Sequence, residues 1–262
     1  MSLVCGRVQI KPELAGLKWP AAYGVIAAMR NPIIVALDVP DAEAALKLAG
    51  EVAPAVGAFK IGKELFVSAG PDIVRRIRAT GAAVFLDLKF HDIPNTVAKA
   101  VESAVKLDVQ MLTIHTSGGP AMMRAAEQSA QETAAKLGQP APLVLGVTVL
   151  TSLESADLYA VGADANIGRQ VERLATLAAS CGIRGLVCSP LELVGLRQIL
   201  PGNMQFVTPG IRPGGGGGDD QKRTLTPKEA MEAGSTWLVI GRPIYAAPNP
   251  RAAAEKILES LR

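Results

Sequence analysis

Aromatic side chains are scarce in this sequence. Phe, Tyr and Trp make up 4% of its 262 residues, which argues against an aromatic-rich binding sandwich. No basic run is interleaved with aromatics, and the net charge is only +3. That mild excess fits a small anionic ligand and makes no case for nucleic acid. There are two histidines, His91 and His115, too few for a His-based zinc site. The three cysteines, Cys5, Cys181 and Cys188, are odd in number and lack metal-ligand spacing, so free thiols in a reducing cytoplasm are expected. The apolar stretch "AAYGVIAAM", Ala21–Met29, is too short to span a bilayer. No Ser-His-Asp or Cys-His constellation is legible, and no GxGxxG motif opens a helix after the first apolar run.

What is present is a rhythm. Apolar runs that read as strands fall at Ile33–Asp38, Ala58–Gly62, Ala83–Lys89, Met111–His115, Leu143–Thr148, Gly185–Cys188, Gln205–Thr208 and Trp237–Ile240. Ala-rich amphipathic stretches lie between them, among them Asp41–Ala53, Ile93–Leu107, Pro120–Leu137 and Ala165–Ser180. Continuous apolar strands alternating with helices imply a parallel sheet covered on both faces. Eight such units predict a closed (β/α)8 TIM barrel, an α/β fold, over residues 31–262. A doubly wound open sheet is the second choice. Residues 1–30 read as an N-terminal extension, with Met29 as an alternative start. A signal-peptide core is the weaker reading of that segment.

Charged residues stand at the ends of these buried strands, where an unpaired charge is costly. Asp38 closes the first, Lys60 lies in the second, Asp87 and Lys89 close the third, and His115 ends the fourth. Residues i and i+2 of a strand share a face, so Asp87 and Lys89 project together. In a barrel the carboxyl ends of all strands meet at one mouth, where catalytic groups gather. A structural ring of ion pairs is the plainer reading of any one of these charges; the recurrence of acids and lysines on three successive strand ends favours function. His91 reads as a group that orients the turn after the third strand.

The end of the chain carries a second signal. "VIGRPIY", Val239–Tyr245, runs from a strand through Gly241 and Arg242 into a helical turn. Barrels often place a phosphate site after strands seven and eight, and glycine together with a guanidinium fork suits one. The loop "GIRPGGGGGDDQKR", Gly210–Arg223, adds Arg212, Gln221 and Arg223 from the neighbouring position. Its run Gly214–Gly218 reads as a mobile lid. Together these residues suggest a phosphorylated small molecule as ligand.

These residues carry a resemblance to a known family. "DLKFHDIPNTV" resembles the signature of the orotidine 5′-phosphate decarboxylases, and "ALDV", "FKIGKELF", "GVTVLTS", "VTPGIRP", "GDDQKR" and "VIGRPIY" resemble the same family in order and position. The likeness runs from about Asn31 to the C-terminus. It implies decarboxylation of orotidine 5′-phosphate to UMP and CO2 in pyrimidine biosynthesis, with no cofactor and no metal. It also implies a role for each matched residue. Lys60, Asp87, Lys89 and Asp92 would form an alternating charged tetrad, with Lys89 stabilising and protonating the C6 carbanion. Asp38 would bind the ribose, and Thr151 the pyrimidine. Arg212, Gln221, Gly241 and Arg242 would hold the phosphate. Asp92 and Thr96 would reach the partner's site in a homodimer. The rival enzyme is a related barrel decarboxylase or aldolase that uses a metal on a sugar phosphate. The rival of another class is a non-catalytic nucleotide-binding barrel.

Overall fold

The computed structural model of the chain describes residues 31–214 and 224–262. The extension expected over residues 1–30, Cys5, Gln221, Arg223 and most of the glycine run lie outside the described residues. Eight strands form in chain order: β1 Ile33–Ala36, β2 Ala58–Gly62, β3 Ala83–Phe90, β4 Met111–His115, β5 Leu143–Val147, β6 Gly185–Val187, β7 Gln205–Thr208 and β8 Trp237–Ile240. Every neighbouring pair is parallel, and β8 returns to β1, so the sheet closes as the expected (β/α)8 barrel.

Alternation along the strands sorts side chains into two cores. Ile34, Phe85, Met111, Leu145, Val207 and Trp237 pack together inside the barrel. Ile33, Val35, Phe59, Ile61, Leu86 and Ile114, one residue out of step, pack outward against the helices. Burying a Phe85 or Met111 side chain contributes about 1.5–3 kcal/mol. Helices start where local chemistry allows. Asp41 caps Ala42–Val52 by accepting a 2.9 Å hydrogen bond from the Ala44 N–H. Thr226 and Glu229 form a reciprocal capping box at Pro227–Glu232. Pro94 occupies the first turn of Pro94–Val105, and the extended Ile93 before it ends the loop after β3.

The inward parity fixes what faces the mouth. On β2 the inward series is Ala58, Lys60, Gly62; on β3 it is Ala83, Phe85, Asp87; on β4 it is Met111, Thr113, His115. The interior is therefore apolar at its floor and becomes charged near the carboxyl ends of β2 and β3. No described helix is long and apolar enough to cross a membrane.

Candidate active site

A cavity of about 370 Å³ opens at the carboxyl ends of the strands. Asp38, Lys60, Asp87 and Lys89, then Thr151 and Ser152, and Arg212, Gly241 and Arg242 line it. The apolar floor is made by Ala36, Phe85, Val147, Val187 and Val239.

The charges along this wall alternate in sign. Lys60 Nζ donates to Asp38 Oδ1 at 2.9 Å and stands 4.0 Å from Asp87 Oδ2. Lys89 Nζ straddles the Asp87 carboxylate, 2.8 Å from Oδ1 and 2.9 Å from Oδ2. Asp87 is the most enclosed acid of the group, with 13% of its side chain exposed, against 45% for Asp38. Burial by itself would raise the Asp87 carboxyl. The adjacent Lys89 and Lys60 ammonium groups, with hydrogen bonds from Lys89 and Thr113, outweigh it and hold Asp87 below the ordinary carboxylate range. Gly62 keeps this arrangement open: a Cβ there would lie 3.0 Å from Lys60 Nζ and 3.4 Å from Asp38 Oδ1.

Lys89 reaches Asp87 through an irregular backbone. The β3–β4 ladder is regular at Phe85–Met111 and Leu86–Leu112 and resumes only at Phe90–Ile114. Asp87, Leu88 and Lys89 thus stand opposite a single residue, Thr113. Lys89 takes φ +52°, in the left-handed region that a side chain disfavours by about 1–3 kcal/mol. The plain i, i+2 alternation expected for Asp87 and Lys89 is replaced by this bulge, although the pair still meets. The Lys89 N–H, with no ladder partner, donates to Thr113 Oγ1 at 2.9 Å, and Thr113 Oγ1 donates to Asp87 Oδ1 at 2.9 Å. The pattern of motifs did not single out Thr113. The available signal was one polar residue inside the apolar run "MLTIH".

Other expected site residues are distributed as follows. Thr151, Arg212, Gly241 and Arg242 border the same cavity as the lysines, with Gly241 next to Asp38: a Cβ there would lie 3.9 Å from Asp38 Oδ2. Arg212 is anchored where its loop begins, since its N–H donates to Leu225 O at 2.9 Å and Ile211 bridges Leu225. Asp92 and Thr96 are exposed, on the loop after β3 and on the first turn of the next helix. Neither lines this cavity within one chain; Asp92 accepts a 2.6 Å hydrogen bond from the Ile93 N–H. His91 and His115 form a tilted ring pair with centroids 5.3 Å apart. Burial, followed by the His91, Lys89 and Lys63 charges, pushes His115 down to about 4. Among the described residues no group of three or more His, Cys, Asp or Glu side chains is arranged to hold a metal ion.

Comparison with known proteins places these features in a family. The family model described as orotidine 5′-phosphate decarboxylase / HUMPS matches residues 31–257. An orotidine 5′-phosphate decarboxylase of Pseudomonas putida (strain W619) is 50% identical over 237 residues, covering 90% of this chain and 100% of the relative. That of Moorella thermoacetica is 49% identical over 229 residues, covering 87% and 91%. Among solved structures, the orotidine 5′-phosphate decarboxylase of Lactobacillus acidophilus superposes with a TM-score of 0.78 at 36% identity, covering 88% of this chain and 99% of that one. An uncharacterised conserved protein of Geobacillus kaustophilus superposes with a TM-score of 0.77 at 30% identity. A barrel with lysines and aspartates interleaved at its mouth, matched over nearly all of its described length, therefore belongs to the orotidine 5′-phosphate decarboxylase / HUMPS family.

Proposed function

We propose that the protein is an orotidine 5′-phosphate decarboxylase, converting orotidine 5′-phosphate to UMP and CO2, with Lys89 as the group that meets the developing charge. The observation that carries this reading is the Asp38–Lys60–Asp87–Lys89 series facing a cavity that Arg212 and Arg242 also line. In the reaction the bond from C6 to the carboxylate breaks and its electron pair stays on C6. The resulting carbanion lies in the ring plane, where the π-system delocalises it poorly. Preorganised positive charge is the stabilisation that the chain can supply. The Lys89 ammonium group faces the growing charge, then transfers a proton from Nζ to C6. The neutral amine left behind is reprotonated from solvent. Asp87 crowds the departing carboxylate: two like charges about 4 Å apart repel by about 4 kcal/mol at an effective dielectric near 20. Lys60 offsets that charge and fixes Asp87 from the other side.

Each remaining role follows the cavity's layout. Arg212, Gly241 and Arg242 hold the phosphate, with Gln221 added from the loop outside the described residues. Thr151 meets the pyrimidine and Asp38 the ribose. The phosphate is remote from the bond that breaks, so its binding energy serves to align the base against Lys89. The exposed Asp92 and Thr96 complete the site of a second copy in a homodimer. Ile93 between them, 67% exposed, supports this reading, since an apolar side chain beside a charge gains by being covered. The catalytic unit is residues 31–262, acting in the cytoplasm, where Cys181 and Cys188 remain free thiols.

Loss of orotidylate absorbance in the presence of EDTA tests the reaction. Undiminished turnover is expected, because the two ammonium groups beside Asp87 already engage the lone pairs that a cation would need. A strict metal requirement would instead favour the sugar-phosphate branch of the family. Mixing Lys89→Ala with Asp92→Ala protein tests the shared site. Activity recovered in the mixture, from two inactive parents, is the expected result; none would refute the exchange of Asp92.

A further inference from the structure

Thr113 is fully buried on the inward face of β4, opposite the three residues of the β3 bulge. Its hydroxyl oxygen accepts from the Lys89 N–H and donates to Asp87 Oδ1, both at 2.9 Å. We propose that Thr113 is a positioning residue for the decarboxylation: one hydroxyl group holds the left-handed backbone of Lys89 and the orientation of the Asp87 carboxylate, and so aims the Lys89 ammonium group. This inference rests on the role given to Lys89 above.

A hydroxyl is the smallest group that donates and accepts through a single atom. Both capacities are needed here. The ladder is broken at Lys89, so its part-buried N–H finds its partner in a side chain instead. With that partner removed, the residue loses the contact that keeps it at φ +52°, and the side chain swings with the backbone. Asp87 loses at the same moment the bond that sets the plane of its carboxylate. The coupling through one atom keeps the two opposed charges in register. A buried threonine that only fills a core is satisfied by a nearby carbonyl. Thr116 does this on the neighbouring turn, donating to Val147 O at 2.9 Å. Both bonds of Thr113 go instead to the residues at the reaction centre.

Thr113→Val removes the hydroxyl at nearly constant volume, and Thr113→Ser retains it. For each variant, kcat and KM for orotidylate are measured, with affinities for UMP and for a UMP analogue bearing an oxyanion at C6. Thr113→Val is expected to lower kcat by about 10- to 100-fold, since a displacement of the order of 1 Å can reduce rate by that factor. Its KM and its affinity for UMP should stay within about threefold, because phosphate and ribose contacts are untouched, while the oxyanion analogue weakens in step with kcat. Thr113→Ser should restore kcat to within about fivefold of wild type. The proposal is overturned if Thr113→Val keeps wild-type kcat, if both variants fall equally, or if UMP and the analogue lose affinity to the same extent. Should Thr113→Val not fold, Thr113→Ala set against Thr113→Ser reads the same contrast. Wild-type protein that binds UMP without turning over orotidylate would sink the decarboxylase reading alone. The analogue-to-UMP affinity ratio would still report on Thr113.

Discussion

Two enclosed ion pairs in this barrel behave in opposite ways. Arg184, just before β6, meets Glu127 of the helix Gly119–Leu137 at 2.7 Å, with 8% and 14% of the side chains exposed. Asp87 meets Lys89 at 2.8 Å at the mouth, with 13% and 24% exposed. Enclosure is similar, yet the balance of forces differs. Burial pushes Glu127 up to about 7 and Arg184 down to about 10, each toward its neutral form. Burial acts on Asp87 in the same direction, but two ammonium groups reverse it. The first pair joins one acid to one base at the amino end of the barrel, away from the cavity. The second is part of an alternating series, Asp38–Lys60–Asp87–Lys89, in which two lysines flank Asp87 at the cavity wall, where a substrate charge would meet them. A buried ion pair by itself says little about function; a series of alternating charges lining an open volume says more.

Substitutions can break this contrast, and the largest effect is expected at Lys89. Lys89→Ala removes both the facing charge and the proton donor, so kcat should fall by at least about 10³-fold. A circular dichroism melt should show the fold retained, and near-wild-type turnover would reject the mechanism. Arg242→Ala should act mainly through KM, lowering kcat/KM by about 10- to 100-fold for the loss of one charge-assisted contact. Initial rates across substrate concentration separate the two parameters. Arg184→Met should leave kcat/KM within about twofold and cost about 1–3 kcal/mol of stability, read from denaturant melts. The cost stays moderate because Glu127, at about 7, can take up a proton once its partner is gone. A greater loss of activity than of stability would erase the distinction between the two pairs.

The smallest effect concerns His115. Its folded value of about 4 lies below the ordinary 6.5, so between these values the unfolded chain binds the proton that the folded chain refuses. Stability should therefore fall as pH drops from about 6.5 to about 4. Glu127 works in the other sense between about 7 and 4.5, since its folded carboxyl takes up protons first. The His115 part is thus read as the difference between wild type and His115→Gln. That difference should be independent of pH above about 7 and change as pH falls toward about 4, and a constant difference across the whole range would refute the assignment.

Much of this was legible before any coordinates. The eight strands are short apolar runs between turn residues, and Lys60, Asp87 and Lys89 are conspicuous as charges where apolar side chains belong. The helices Lys63–Ala69 and Asp72–Arg78 were not assigned, because Gly70 and Pro71 split them into pieces too short for a helical period to show. Thr113 was illegible for a different reason. Its place opposite three residues depends on an irregular ladder, and nothing local in "MLTIH" encodes where the neighbouring strand loses step. Likewise the His91–His115 contact joins separate strand ends and leaves no spacing to read.

Lys60, Asp87 and Lys89 belong to strands, whereas Arg212, Gly241 and Arg242 belong to the connections after β7 and β8. Under the proposed mechanism, chemistry is built into the staves of the cask and selection into its lip. An engineer could graft different connections onto those last two strands, changing which molecule is grasped, without disturbing the machinery that acts on it.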